Sequence, residues 1–311
     1  MPQRASTVNL LRSLSNILVL LVAAVTPGYG QDPPSGQRPI TTLKIESKLV
    51  AVTAIARGES GQAISGLTRQ DFLLKQDGKA QAIIYFSPSS DLPLTLALMV
   101  DTSGSQRDFI PDQIADSAGF FPALMTKPQD RAVLVQFDSE ILELAELTNS
   151  VPTLEEALSK LSDKRGDLAG GTRLYDAIST VSHLELGDQL GRRAMVILTD
   201  GGDFGSETKI GAAIAEAQRA DIMIYSVYYS RGGGNKGALE RLSNATGGRV
   251  FTVGPTMSLK QVYAAINDDM RLAYELGYRP PESHPNKFHK IELSTIDKKL
   301  TIQARKGYFS K

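Results

Sequence analysis

The sequence predicts an α/β protein: a doubly wound, largely parallel sheet inserted into a small, discontinuous β-sandwich built from the N- and C-terminal segments. Three observations point there. From Leu94 onward, apolar strand-like runs alternate with helical stretches, the rhythm of a parallel sheet covered on both faces. Before and after that region the pattern is one of short strands and turn residues, with too few strands on either side to close a core alone. Two of the apolar runs end on a carboxylate, at Asp101 and Asp200, the end of a strand where open α/β sheets bind ligands.

Taken in order, residues 1–30 read as a secretory signal peptide. Arg4 and Arg12 supply a basic start, and Ile17 to Val25 is an apolar core too short to span a bilayer comfortably. Small residues at 26–30 place cleavage before Gln31; the alternative is an uncleaved N-terminal anchor. A lipid anchor on cysteine is excluded, because the 311-residue chain has no Cys. Residues 31–40 form a Pro/Gly-rich linker. The first β segment is 41–90. There Leu43, Ile45, Val50, Val52 and Ala54 are apolar in two phases, which predicts a bend near Ser47. Gly58-Glu-Ser-Gly61 is a turn, and runs at 72–76 and 80–86 flank Asp77-Gly78, the signature of a two-residue hairpin turn.

The α/β domain is expected over 91–273, with strands at 94–101, 131–137, 141–147, 193–200, 221–229 and 249–253. Only Asp138-Ser-Glu140 separates the second from the third, so that pair is an antiparallel hairpin; a parallel crossover needs a dozen residues or more. Helices fill the longer gaps, one of them over 174–186. Thr153 with Glu156, and Ser258 with Gln261, have capping-box spacing, and Gly247-Gly248 ends a helix that begins near Ala238. The last segment, 274–311, returns to strands at 274–278, 288–294 and 300–304. These are expected to join the strands of 41–90 in one immunoglobulin-like sandwich.

The candidate site follows from the strand ends. Asp101-Thr-Ser103-Gly-Ser105 offers an acid and two hydroxyls at alternate positions, hard oxygen donors that suit Mg²⁺ better than zinc or copper. In the common strand order 3-2-1-4-5-6 the first and fourth strands are neighbours, so Asp101 and Asp200 converge at the topological switch point. Thr172 enters from the loop before the 174–186 helix, and Gly170-Gly171 lets that backbone come close.

Together, Asp101, Ser103, Ser105, Thr172 and Asp200 resemble the metal-ion-dependent adhesion site of von Willebrand factor type A (VWA) domains, whose pattern is D-x-S-x-S, then Thr, then Asp. Residues 94–270 carry the resemblance. The flanking segments, with Leu67-Thr-Arg-Gln-Asp-Phe72, Asp77-Gly78 and Ala304-Arg-Lys-Gly-Tyr-Phe309, look like a bacterial group of exported proteins called VWFA-related. The resemblance implies a Rossmann-like fold. It also implies that the serines and the threonine bind the metal directly, while the aspartates act directly or through water. The metal implied is Mg²⁺, with Mn²⁺ or Ca²⁺ as substitutes, and a protein partner's Asp or Glu completes the shell. The expectation is therefore metal-dependent protein binding or adhesion by a secreted or periplasmic protein, with no bond broken; the alternative is an envelope assembly or scaffold role using the same site. Asp176 is expected to hydrogen-bond the nearby loop rather than ligate. Asp203 is either a loop or helix-start acid beside the site or a solvent-exposed one.

Composition narrows the alternatives. With 34 basic and 34 acidic residues, nothing predicts nucleic acid or an anionic membrane surface as partner, and no membrane span is expected once the signal is removed. Absence of Cys removes thiol catalysis and disulfides. A phosphatase of the haloacid-dehalogenase type would need a second Asp where Ser103 stands, and no G-x-S-x-G elbow is present. His183, His284 and His289 lack metal-ligand spacing and read as surface or capping residues. Arg231-Gly-Gly-Gly-Asn-Lys236 lacks the G-K-[ST] ending of a phosphate loop and reads as a flexible connection. A metal-dependent hydrolase is the remaining enzymatic alternative, and the expectation is that the chain is not an enzyme.

Overall fold

The computed structural model describes residues 49–88, 92–117, 119–161, 170–187, 189–230 and 232–310. The expected signal peptide, the linker and the predicted bend near Ser47 lie outside them. The first four strands are β1 (Val50–Arg57), β2 (Phe72–Gln76), β3 (Lys79–Gln81) and β4 (Tyr85–Ser87). Asp77 and Gly78 both have positive φ, 50° and 79°, the backbone that a tight β2–β3 hairpin requires. The run 80–86, expected as one strand, is split: β3 stays beside β2, whereas β4 belongs to the opposite sheet. Ile83 turns into the sandwich core between them, and the Ile84 N–H donates to the Gly277 carbonyl.

The α/β region runs β5 (Leu94–Asp101), α1 (Ile110–Ser117), α2 (Phe120–Leu124), β6 (Arg131–Phe137), β7 (Ile141–Thr148), α3 (Val151–Leu158), α4 (Leu174–Leu184) and β8 (Arg192–Thr199). It continues with α5 (Ile210–Arg219), β9 (Ile222–Tyr228), α6 (Lys236–Thr246), β10 (Val250–Thr252) and α7 (Leu259–Leu272). Its sheet has the order β10-β9-β8-β5-β6-β7, which is the 3-2-1-4-5-6 arrangement, parallel throughout except for the β6–β7 hairpin. All eight residues of β5 are buried, as a strand covered on both faces must be. Leu94, Leu96, Leu98 and Val100 pack with α2, α3 and α7, while Ala97 and Met99 pack with α4, α5 and α6.

Helix ends follow local chemistry with one departure. The Ser258–Gln261 capping box forms at α7, and Gly247, at φ 88°, closes α6, whose start is capped by Asn235. The box expected at Thr153 does not form. Ser150 caps α3 instead, accepting from the Thr153 N–H, because Pro152 in the first turn sets the helix start three residues earlier.

The chain ends with β11 (Tyr274–Tyr278), β12 (Phe288–Thr295), β13 (Thr301–Ala304) and β14 (Gly307–Phe309). Two four-stranded sheets result, β13-β1-β11-β4 and β14-β12-β2-β3, and each mixes strands from before and after the α/β region. Their shared core includes Val52, Ala54, Phe72, Leu74, Tyr274, Leu276, Tyr278 and Ile291. Neither terminal segment has a core without the other, so the doubly wound sheet is an insertion in a discontinuous sandwich. Two buried ion pairs join the modules: Arg57 of β1 reaches Asp269 of α7 at 2.6 Å, and Arg192 of β8 reaches Glu275 of β11 at 3.0 Å; Arg249, from the α/β domain itself, also reaches Asp269 at 3.1 Å. His289, read from sequence as a surface or capping residue, is instead a buried member of β12, only 3% exposed. Asp77 at the β2–β3 turn and Ser283 on the loop between β11 and β12 supply hydrogen-bond partners for its two ring nitrogens, which is what admits an imidazole to this core. Among the described residues no helix is long and apolar enough to cross a membrane.

Candidate metal centre

Asp101 ends β5, and Asp200 follows the last residue of β8, the strand that pairs with β5 in parallel register. The Asp101 side chain is fully buried. Its Oδ1 accepts from the Ser103 N–H at 2.9 Å and its Oδ2 from the Thr199 hydroxyl at 2.6 Å. Thr199 Oγ1 in turn accepts from the Gly201 N–H at 3.0 Å, and Asp200 Oδ1 accepts from the Gly202 N–H at 2.8 Å. Burial pushes the Asp101 carboxyl up to about 6; the charge of nearby Asp200 adds to that rise, while the bonds from Ser103 and Thr199 oppose it.

The hydroxyls come from two loops. Ser103 Oγ and Ser105 Oγ lie 3.3 Å apart, Ser103 buried and Ser105 exposed. Thr172 is held by a reciprocal backbone pair with Phe204, 2.8 Å each way, which fixes it against the loop that follows Asp200. The next amide, Arg173 N–H, donates to the Asp138 carbonyl at 2.8 Å, and Asp138 Oδ2 accepts from the Thr102 hydroxyl at 3.1 Å. The loops after β5, β6 and β8 and the loop before α4 are thus tied into one cluster at the carboxyl edge of the sheet. Gly171 makes the close approach there: a Cβ on it would lie 3.2 Å from the Phe204 carbonyl, whereas one on Gly170 would meet nothing.

The segment expected to be a flexible connection packs against Asp200. The Asn235 N–H donates to the Asp200 carbonyl at 2.8 Å, and a Cβ on Gly234 would fall 2.3 Å from that same oxygen. The physical reason is that the glycines at 232–234 all take positive φ, folding the chain back over the end of β8. Arg231 lies outside the described residues.

Asp176 and Asp203 stand behind the site as anchors. Asp203 Oδ1 accepts from the Tyr175 N–H at 3.1 Å and from the Ser206 hydroxyl at 2.6 Å, and Ser206 Oγ accepts from the Asp176 N–H at 3.2 Å. The first turn of α4, whose N-cap Arg173 gives no side-chain cap, is capped by the loop after β8. Asp176 reciprocates, accepting from the amides of Thr208 at 2.8 Å and Glu207 at 3.1 Å and from Arg173 Nε at 2.8 Å. Burial alone would raise its carboxyl, but these donors outweigh it and hold it down to about 2. Its folded value lies below the ordinary value of about 3.9, so the stabilisation is present above about pH 4 and disappears as pH falls toward 2. Asp176→Asn is expected to cost about 1–2 kcal/mol at pH 7, allowing for solvent screening at this loop, with the two melting curves converging near pH 2. Thermal melts from pH 2 to 7 check this.

The five side chains present only oxygen: two carboxylates and three hydroxyls, the donor set of a hard divalent cation. The hydroxyl pair at 3.3 Å is close to the edge of an octahedron around Mg²⁺, about 2.9 Å for ligands at 2.0–2.1 Å. A fully buried carboxylate beside a second one is also a place where a cation removes an electrostatic cost. The residues fit the ion. Among the described residues no three His, Cys, Asp or Glu side chains gather to hold a metal, so a site here rests on the hydroxyls.

A doubly wound sheet carrying an acid–hydroxyl loop at its switch point defines the von Willebrand factor type A class of domain. The chain belongs to that family, for the family model described as VWA domain containing CoxE-like protein matches residues 74–260, more than half its length. No curated protein shows significant similarity to it. Solved structures similar to it include the conserved hypothetical protein BatB from Bacteroides thetaiotaomicron, at 14% identity over 57% of this chain and 97% of that one, with TM-score 0.48. The vWF domain of the type V pili tip protein Mfa5 from Porphyromonas gingivalis is 13% identical over 57% and 94%, with TM-score 0.45. A von Willebrand factor type A protein from Catenulispora acidiphila is 11% identical over 86% and 75%, with TM-score 0.48.

Thr199, Asp138, Phe204 and the Gly234–Asn235 pair escaped the reading of the sequence. Thr199 had a local signal, a hydroxyl one residue before the strand-end Asp200. Asp138 acts through its carbonyl and its carboxylate, and Phe204 and the Gly234–Asn235 pair through backbone groups, all brought in by tertiary structure, so no sequence pattern marks them.

Proposed function

We propose that this chain is an exported, metal-dependent protein-binding module of the cell envelope, secreted or periplasmic. Asp101, Ser103, Ser105, Thr172 and Asp200 hold a Mg²⁺ that accepts a carboxylate from a partner's Asp or Glu. The observation that carries this reading is the convergence of a buried and a second carboxylate with hydroxyls from two further loops at one edge of the sheet. Neutral hydroxyl ligands leave much of the charge on the ion, which supplies Lewis acidity toward an incoming anion. The protein's own residues orient that face: Thr199 fixes Asp101, and the Phe204 backbone fixes Thr172. The Phe204 ring, 76% exposed, stands beside the site as an apolar contact for a partner.

Calorimetric titration of the chain with Mg²⁺ and Mn²⁺ tests the reading. Saturable binding is expected, weakened about 10- to 100-fold in Ser103→Ala and in Thr172→Ala, since each removes one donor of several. Binding unchanged in both variants, or absent from the parent chain, refutes it.

A further inference from the structure

A second cluster of reactive side chains sits in the sandwich, outside the metal centre. His289 on β12 places Nε2 2.9 Å from Ser283 Oγ and Nδ1 2.7 Å from Asp77 Oδ2. A hydroxyl, an imidazole and a carboxylate in this sequence of contacts meet the geometric description of an activated nucleophile: base within hydrogen-bond reach of the hydroxyl, and base oriented by a third group. The short contact to Asp77 fixes the proton on Nδ1, which leaves Nε2 as the acceptor facing Ser283.

The surroundings hold the base and leave the nucleophile accessible. The His289 ring is buried and stacked on Tyr308 with centroids 5.3 Å apart, and Gln76 Nε2 donates to Asp77 Oδ2 at 3.4 Å, the same oxygen that receives the Nδ1 proton. Gln76 Oε1 accepts from the hydroxyls of Tyr278 at 2.8 Å and Tyr308 at 3.2 Å, so the network behind the ring is anchored in both sheets. Asp77 is fixed from its other oxygen by the Lys290 N–H at 2.9 Å. Ser283, by contrast, is exposed on the loop between β11 and β12. Asp77, Ser283 and His289 all line one open cavity of about 600 Å³, with Lys79, Gln81, Glu282, His284 and Lys287 around its rim. Most of the lining side chains are polar or charged, but Pro281 and the apolar stems of the longer residues supply more than half of the exposed surface, which suits a small ester with both polar and apolar parts.

We propose that Ser283, His289 and Asp77 form a nucleophilic site that hydrolyses small carboxylic esters, independently of the metal centre. Ser283 Oγ attacks the acyl carbon while its proton passes to His289 Nε2. The ester C–O bond breaks, and the leaving oxygen takes that proton and departs as the alcohol. Water then attacks the acyl-serine, giving a proton to Nε2. The Oγ–acyl bond breaks, the acid leaves, and Ser283 recovers its proton. Asp77 holds the ring and stabilises its charge in both steps.

The test treats the full chain with a fluorophosphonate probe, locates the adduct by mass spectrometry and follows p-nitrophenyl acetate hydrolysis. One adduct on Ser283 is expected, absent from Ser283→Ala and from the urea-unfolded chain. His289→Gln should slow labelling and ester turnover by about 100-fold or more. Because His289 is buried, that variant is read only with a cooperative melt; Asp77→Asn, at a turn whose carboxylate is 44% exposed, provides a second variant expected to slow both reactions. No adduct on Ser283, or labelling at the parental rate in folded Asp77→Asn, overturns the proposal.

Discussion

Replacing Asp101 with alanine is expected to abolish Mg²⁺ binding while leaving the fold in place. The carboxylate belongs to the first strand of the switch point and is the most buried of the five donors, so no neighbouring oxygen can take its position. Loss of affinity should exceed about 100-fold, because replacing even groups that only support a metal ligand costs 10- to 100-fold. The fold survives because two effects oppose one another. Alanine leaves the Ser103 N–H and the Thr199 hydroxyl without their acceptor, at about 1–3 kcal/mol for each buried unpaired group. It also removes a charge whose burial, beside Asp200, is unfavourable enough to push the carboxyl up to about 6. Asp101→Asn separates these terms: it can keep an acceptor for the Ser103 N–H, removes the charge, and should be as metal-blind as alanine. Calorimetric titration and thermal melts of the two variants beside the parent chain decide the matter. Parental Mg²⁺ affinity in Asp101→Asn would place the ion elsewhere.

What was legible in the sequence was whatever local rules encode. The buried strands showed as uninterrupted apolar runs, and the three-residue Asp138–Glu140 link forced the β6–β7 hairpin whatever the rest of the sheet did. Asp77-Gly78 announced its turn through the positive φ that both positions need. The acid–hydroxyl loop was readable because its residues sit at fixed short spacing after a strand. Where the reading failed, a tertiary contact outweighed a local one. The run 80–86 looked like one strand, but its second half gains more by pairing with β11 in the other sheet. Thr153 had the right spacing for a cap, yet Ser150 and Pro152 start that helix earlier. Three glycines before Asn235 suggested slack, and instead they allow the backbone to lie on Asp200. His289 gave no local sign of burial, since the Asp77 that orients it comes from more than two hundred positions away in sequence, although Ser283 is near.

The same dependence on distant residues makes Asp269 the position where one substitution should do the most damage to stability. Its side chain is 1% exposed and bridges two guanidinium groups, Arg57 from the sandwich at 2.6 Å and Arg249 from the α/β domain at 3.1 Å. Arg57 is itself buried, its remaining donors taken by Gln303 and the Gly61 carbonyl. Asp269→Ala strands a positive charge in the junction between modules, and breaking a buried pair in this way costs about 3–5 kcal/mol. The exposed Lys160–Glu156 pair on α3 is a fair contrast: at 2.9 Å its geometry is as good, but both side chains are over 60% exposed, and Glu156→Ala should leave the urea midpoint close to the parent's. Urea denaturation of the two variants measures the difference. The pair, rather than the aspartate alone, is responsible if Arg57→Ala combined with Asp269→Ala costs less than the sum of the single changes, because the second substitution then removes a charge already left without its partner. Strict additivity would mean that Asp269 stabilises the junction through Arg249 and packing, and that the link from β1 to α7 contributes little.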